Sequence, residues 1–538
     1  MNTSFNIRFD CIVVGAGSAG CTLASRLVES GRSVLLLEAG GRDRNPMLHI
    51  PLASGHVVNS GKYNWNLQTE PSPGLDNRRV PYPRGKVLGG TSSINGMIYI
   101  RGNPADYDEY AALGNRGWSY REVLPYFKRS ENHASRRNEF HGDEGPLRVT
   151  TGNDQNPLYD AFLLAGRQAG HPINDDFNGS SQEGFGRYDF TIYRGRRQST
   201  ATAFLPGASR RGTLTMVTQA SVQQVIVEGG RASGIKYRHH DRSLTALADE
   251  VVLCCGTVHS PHLLMLSGIG APDELERHGI EVRHGLPGVG KNLHDHARVN
   301  LQFSCTKPWT LHRLMRVDRI AMAMARAVLL RSGPAASFPA EAGGFTKIGS
   351  SDQVPEAQWY CVLGTLANRV RLADWPGSGK DSDNLFAIGT VLLRPESVGE
   401  IRLRSSNPED QPLIYPNLLH SDNDLAKLVN LAQQAAALSS QPAFHGLIKP
   451  GSGSTDQLKG TQEWAQWVRR NVVTSAHPVG TCKMGNDRLA VVNDCLEVHG
   501  IKGLRVADAS ILPLVPRGNT NAPTIMVAEK AADFMLNG

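Results

Sequence analysis

The chain has 538 residues, 40% hydrophobic and 20% charged, with 56 Gly and 30 Pro, which fits a loop-rich globular protein and excludes a fibrous or disordered one. That length exceeds what one hydrophobic core usually fills, so two lobes are expected. Its 57 Lys and Arg against 50 Asp and Glu leave a mild +7 without a long basic block, which argues against a nucleic-acid binder, and no window holds the roughly 18 apolar residues of a membrane span.

Met1 to Arg8 is short and polar and runs straight into a strand, so no secretory signal is expected and the protein is placed in the cytoplasm. The eight cysteines (Cys11, Cys21, Cys254, Cys255, Cys305, Cys361, Cys482, Cys495) are scattered without zinc spacing and read as reduced thiols; no metal site is expected.

Residues 9–14 (FDCIVV) are a β-branched apolar run that stops at Gly15, and residues 18–30 carry a helical pattern closed by Gly31. Residues 33–37 (SVLLL) form a second continuous apolar run, as expected of a parallel strand buried on both faces. The βαβ unit holds Gly15-Ala16-Gly17-Ser18-Ala19-Gly20, a G-x-G-x-x-G between strand and helix. Its first glycine permits the tight turn, its second lets backbone approach a pyrophosphate, and its third lets helix and strand pack closely. Glu38, followed by Ala39, ends the second strand, where a carboxylate binds the ribose hydroxyls of an adenosine. This fingerprint does not separate FAD from NAD.

A second glycine-rich stretch runs from Arg84 through Val87, Gly89, Gly90, Ser92, Ile94 and Asn95 to Gly96 and Met97, suited to backbone lying against a flat ring or a phosphate. No second G-x-G-x-x-G follows a strand, which favours a permanently held flavin with an external electron acceptor over a flavin and nicotinamide pair. Strands over 215–217, 222–227 and 251–253 resume the first pattern, and 504–532 returns to it again. We therefore expect a discontinuous nucleotide domain over 1–155, 193–300 and 470–538, with a second domain on an antiparallel sheet over 156–192 and 301–469.

Two further segments carry chemistry: Ser475-Ala476-His477-Pro478-Val479-Gly480, and Val506-Ala507-Asp508-Ala509-Ser510 followed by Asn519-Thr520-Asn521-Ala522-Pro523-Thr524. With both glycine-rich stretches and Ser260 to Gly270, they resemble the glucose-methanol-choline (GMC) oxidoreductase family, in order and over nearly the whole chain. The resemblance implies an α/β fold with a doubly wound, Rossmann-like FAD domain, and a substrate lobe whose antiparallel sheet roofs the flavin. It implies FAD as cofactor and a small-molecule alcohol as substrate. His477 matches the family's catalytic histidine and Asn521, 44 residues later, its partner; Asp508 and Ala509 match contacts to the ribityl and pyrophosphate, Asn95 lies near the flavin's reactive edge, and Val222 matches a position whose backbone meets the adenine. Asn519, Pro523 and Thr524 fall in the same cofactor-binding segment.

The chemistry gives these residue types a reason. An alcohol donates hydride poorly until its hydroxyl proton is being removed, and imidazole titrates in the right range to remove it. An asparagine amide can stabilise the developing alkoxide. His294 and His296 lack a third ligand of suitable spacing and read as structural.

The sequence departs from choline-oxidising relatives at two places. Ile94 stands where some of them attach flavin through a histidine, so non-covalent FAD is expected. Ala476 stands where they carry an aromatic residue beside the base, which points away from choline even though Trp65 and Glu341 sit in segments resembling its site. The motif wording is closer to bacterial alcohol and choline dehydrogenases than to secreted fungal oxidases, so the reading is oxidation of a primary alcohol to the aldehyde with electrons passed to a quinone or other external acceptor; oxygen as acceptor, choline as substrate and a flavin-containing hydroxynitrile lyase are the alternatives. His477 argues against the photodecarboxylase branch, which has Cys there. Residues 313–331 pattern as an amphipathic helix, with Val317, Ile320, Ala321, Met324 and Val328 against Arg316, Arg319 and Arg326; packing on the protein's own core is the expected use, and peripheral membrane contact the other. Oligomeric state is not legible.

Overall fold

A computed structural model describes residues 8–349, 352–364 and 384–537. Residues 1–7, part of the polar segment read above as no secretory signal, and 365–383 of the expected second lobe lie outside the described residues. The strands that build the site are, in chain order, β1 (Arg8–Val14), β2 (Val34–Glu38), β3 (Gly184–Arg187), β4 (Leu214–Thr218), β5 (Ala220–Glu228), β6 (Arg231–His239), β7 (Arg242–Leu253), β8 (Ala297–Ser304), β9 (Ala342–Thr346), β10 (Ala357–Val362), β11 (Leu385–Leu392), β12 (Val473–Thr474) and β13 (Leu504–Val506). The helices used below are α1 (Ser18–Glu29), α2 (Val317–Leu330) and α3 (Asn521–Asn537).

The first sheet has the order β5-β6-β7-β1-β2-β4, with β13 on β7. Its pairs β13–β7, β7–β1, β1–β2 and β2–β4 are parallel, and the β5–β6–β7 meander is antiparallel. All five residues of β2 are buried, because helices cover both faces of a parallel sheet and leave no solvent side for alternation. Helix α1 packs by Ala19, Leu23, Ala24 and Leu27 into the same core.

The second sheet, β12-β8-β11-β10-β9-β3, is antiparallel throughout. Strand β8 shows how it serves the site. Ala297, Val299, Leu301 and Phe303 enter the second core, while the alternate residues Arg298, Asn300 and Gln302 face the other way, toward the first sheet. Strand β12 lies in the segment expected to belong wholly to the nucleotide domain, yet it pairs with β8 and carries the chain from the second sheet into the site.

Helix α2 differs from expectation. The residues it buries are Ala323 and Ala327, which pack near Val87 and Ile94, whereas Val317 and Val328 of the expected apolar face are exposed together with Met322, Leu329 and Leu330.

Candidate functional site

Between the carboxyl ends of β1 and β2 and the inward face of β8 and β10 lies a cavity of about 1620 Å³. Pockets for one drug-sized ligand run to roughly 300–1,000 Å³, so this one has room for a dinucleotide and a substrate together. It sits where open α/β sheets bind ligands, beyond the carboxyl ends of the parallel strands.

One end is built for a pyrophosphate. Helix α1 starts at Ser18 with no capping side chain and no acidic residue in its first turn, leaving its N–H groups and partial positive charge to an anion. Each glycine has its own reason. A Cβ on Gly15, where φ is +96°, would lie 2.6 Å from the Cys254 carbonyl oxygen, and one on Gly20 would lie 1.8 Å from that of Gly15. Gly17 has open space, with its nearest neighbour at 3.9 Å. The second glycine-rich stretch docks on the first: Gly89 N–H donates to the Ala16 carbonyl at 2.7 Å, and a Cβ on Gly90 would lie 2.7 Å from Gly17 Cα. Glu38 is buried and accepts from the N–H groups of Ala16 (3.1 Å) and Gly40 (2.8 Å), so it ties the glycine turn to the end of β2; burial pushes its carboxyl up to about 7. A cradle of bare backbone and an uncapped helix start, with an acid beside it, fits an adenine dinucleotide.

Most expected cofactor contacts line this cavity, among them Ser18, Ala19, Ala39, Arg84, Asn95, Gly96, Met97, Val222, Ala509 and Thr524. Asp508 does too, but both its oxygens are engaged: Oδ2 accepts from Gly256 N–H and Ser260 Oγ, and Oδ1 from Ser510 N–H. Five expected contacts stand behind the wall. Gly20 is the helix–strand packing glycine, Val87 is buried near Ile94, Gly89 bonds to Ala16, Ser92 Oγ donates to the Gly89 carbonyl, and Pro523 is buried in α3.

At the other end stands His477, on the turn that follows β12. Residues 292–296 run antiparallel to 475–479, with reciprocal bonds between His294 and Val479 and a bond from Ser475 N–H to the His296 carbonyl. The segment read as structural thus holds the candidate base. Asp295, fully buried, accepts from the N–H of His477 (2.9 Å) and of His296 (2.8 Å) and from Thr474 Oγ1. Thr474 Oγ1 in turn accepts from Ala476 N–H at 2.7 Å, and Arg84 Nη2 donates to the Ala476 carbonyl at 2.6 Å. These bonds hold Ala476 at φ +60°, a left-handed conformation costing a non-glycine residue roughly 1–2 kcal/mol.

His296 Nδ1 lies 3.0 Å from His477 Nδ1, and His296 Nε2 lies 3.1 Å from the Leu393 carbonyl. A carbonyl only accepts, so His296 is protonated at Nε2 and offers a lone pair at Nδ1; His477 donates from Nδ1 and keeps its own lone pair at Nε2. Burial, reinforced by the positive fields of Arg298 and Arg84, holds His477 well below the ordinary imidazole range, and burial drives His296 down to about 3. Both rings are neutral.

The asparagine that meets His477 is Asn519, which corrects the expectation of Asn521. Asn519 Nδ2 lies 3.0 Å from His477 Nε2, and its Oδ1 accepts from Gln358 Nε2 at 3.0 Å, which fixes the amide with its N–H toward the base. Asn521 opens α3 and turns the other way, its Oδ1 accepting from Ser18 Oγ at 2.7 Å at the start of α1. Matching to the family's motif put the partner at Asn521, two residues too late, and the side chains of Asn519 and Asn521 turn opposite ways where the chain passes from extended loop to helix.

Three further expectations resolve here. Glu341 does not line the cavity; it accepts from Asp154 N–H at 2.7 Å on the far side. Trp65 lines it, with its ring already under Lys86 Nζ at 4.2 Å from the centroid. Ile94 lines it as a buried aliphatic group without a nucleophilic atom. His296 was read as structural, and Asp295 and Arg298 were given no role from the sequence; the alternation of β8 was the available signal for the last.

Family models described as GMC oxidoreductase match residues 9–298 and 395–528. The chain is 40% identical to the oxygen-dependent choline dehydrogenase of Photobacterium profundum, covering 99% of this chain and 93% of that one. It is likewise 40% identical to the mitochondrial choline dehydrogenase of Mus musculus, over 98% of this chain and 89% of the relative. Among solved structures it resembles pyridoxine 4-oxidase from Mesorbium loti (TM-score 0.87, 28% identity, 98% of each chain) and a formate oxidase variant from Aspergillus oryzae RIB40 (TM-score 0.90, 27% identity, 99% and 98%).

Proposed function

The chain belongs to the GMC oxidoreductase family, and from that premise we propose that it oxidises an alcohol to the aldehyde, with His477 as the base. FAD is the cofactor, and when bound it supplies the hydride acceptor at its N5 atom. The first glycine turn, the start of α1 and Glu38 would hold its adenosine diphosphate, and the Gly89–Gly96 stretch its ring, without a covalent bond because Ile94 has none to offer.

The observation that carries this reading is the oriented chain Leu393 carbonyl, His296, His477, Asn519. At the cavity wall the neutral Nε2 of His477 accepts from the Asn519 amide N–H. A substrate hydroxyl that takes the place of that contact gives its proton to His477 Nε2, while Asn519 donates to the alkoxide that develops. A positioned base of this kind is worth about 10²–10⁴ in rate, and a single donor to a developing oxyanion about 10²–10³.

An external acceptor reoxidises the protein, and a quinone is our reading. Its support is α2, which exposes Met322 (70%), Leu329 (76%) and Leu330 (70%) beside Arg319 and Arg326, a composition suited to the surface of an anionic bilayer. No helix among the described residues is long and apolar enough to cross a membrane.

The test is anaerobic mixing of the yellow protein with primary, aromatic, polyol and amino alcohols, followed by dye-coupled and oxygen-coupled assays. Bleaching of the flavin by an alcohol is the expected result. A flavin that no alcohol bleaches overturns the reading and leaves non-redox chemistry such as cyanohydrin cleavage.

A further inference from the structure

Strand β8 places a positive charge in the substrate end of the cavity. Arg298 belongs to its inward-facing row, between Val391 of β11 and Val473 of β12 in the register of the sheet. Its side chain lines the cavity, and its Nε is buried without a hydrogen-bond partner. No carboxylate of the described residues pairs with it. The nearby acid, Asp295, is spent on the backbone of His296 and His477 and on Thr474. The second guanidinium near His477, that of Arg84, is tied to the Ala476 and Pro83 carbonyls, so two positive charges and, among the described residues, no free acid face the position where the alcohol must sit.

Arg298 is half-buried with its Nε shut off from water, and a guanidinium left unpaired in such a place is costly and is tolerated when a ligand completes it. Guanidinium is the group best shaped to take a carboxylate through two parallel N–H donors. Asn300, two residues along the same face, also lines the cavity with no hydrogen bond from its side chain among the described residues, and Gly389 opposite it leaves the roof open there. A Cβ on Gly389 would lie 2.7 Å from Asn300 Oδ1.

Resting on the alcohol oxidation argued above, we propose that the substrate is an alcohol bearing a carboxylate, a hydroxy acid, whose anionic end is held by Arg298 with Asn300 beside it while its hydroxyl meets His477 and Asn519. Oxidation then gives the corresponding aldehyde acid: one proton goes to His477, one hydride to FAD, and the carboxylate is unchanged. The same charges repel a quaternary ammonium, and the face of Trp65 is already taken by Lys86, so choline is disfavoured in this cavity despite the names of the relatives.

Two arms test this. In the first, the oxidised holoenzyme is titrated with hexanoate, which has no hydroxyl to oxidise, and binding is read from the flavin absorption spectrum. Saturable binding is expected, weakened by roughly 10- to 100-fold in Arg298→Gln, the scale of a hydrogen bond to a charged group, and partly kept in Arg298→Lys. In the second, flavin reduction is compared for 6-hydroxyhexanoate, its methyl ester and choline. The acid should lead the ester by a similar factor in the wild type, and that preference should collapse in Arg298→Gln and recover when guanidinium is added to Arg298→Ala.

Absence of hexanoate binding to the wild type overturns the proposal, and needs no variant that must fold. So does an acid-to-ester ratio that Arg298→Gln leaves unchanged, which would assign Arg298 to the flavin alone, or a preference for choline. If no alcohol bleaches the flavin but hexanoate binds through Arg298, the oxidation reading fails and the anion site stands.

Discussion

In the 3.0 Å contact between the Nδ1 atoms of His296 and His477, His296 is the acceptor, because its other nitrogen is committed to the Leu393 carbonyl. That single assignment determines which nitrogen of His477 is free to take a proton. It also makes His296 a positioning residue that touches no substrate atom.

His296→Leu should therefore keep its FAD and slow flavin reduction by about 10- to 100-fold, as the imidazole of His477 loses its fixed tautomer. His296→Gln, whose amide oxygen can still accept from Nδ1, should recover part of the rate. Stopped-flow reduction across pH separates this from a packing defect: loss of the fixed tautomer alters the pH profile, and an unaltered profile in His296→Leu refutes the assignment.

His477→Ala should bind FAD normally and lose on the order of 10²- to 10⁴-fold in the rate of flavin reduction. The wild-type rate should rise with pH as the imidazole loses its proton and level off below the ordinary histidine pKa of about 6.5, since burial and the fields of Arg298 and Arg84 hold His477 down. A midpoint above that value contradicts the buried, neutral ring.

The two asparagines should separate cleanly. Asn519→Ala should reduce the rate by roughly 10²-fold by removing the donor to the developing alkoxide, with FAD content unchanged. Asn521→Ala should leave the base untouched and weaken FAD retention, because its side chain bonds Ser18 where α1 begins. Rates and FAD-to-protein ratios of both variants decide it, and the reverse pattern would restore the pairing with Asn521 that the family resemblance implied.

Gly17 and Gly20 should fail differently. Gly20→Val puts a side chain into the Gly15 carbonyl and should destabilise the fold itself, by at least the roughly 1–3 kcal/mol of an overpacked core. Gly17→Val meets open space in the protein and should fold, yet lose FAD by filling the place of the pyrophosphate. Thermal unfolding beside flavin content distinguishes them; a fully yellow Gly17→Val protein would rule out this turn as the phosphate cradle.

Contact of α2 with a membrane is checked by sedimentation with phosphatidylglycerol vesicles. The wild type should pellet with them at low salt, and Leu329→Ser with Leu330→Ser should reduce this severalfold. A wild type that stays in the supernatant removes the support that α2 lends to a quinone acceptor.

Local signals determined much of this protein by themselves. Strand, glycine turn, helix and strand through Glu38 were readable because each rests on short-range constraints: β-branched runs, a turn that tolerates no side chain, and a carboxylate at a strand end. His477 was readable from its motif, and the family from motifs in order. Which asparagine meets that histidine was decided only by the tertiary structure, since Asn519 and Asn521 straddle the start of α3 and a count along the chain does not say which way each side chain turns. The roles of Asp295, His296 and Arg298 were decided there too. Nothing local brings β8 beside β12, and it is that long-range pairing which delivers a buried carboxylate, a half-buried guanidinium and a second imidazole to one turn of chain.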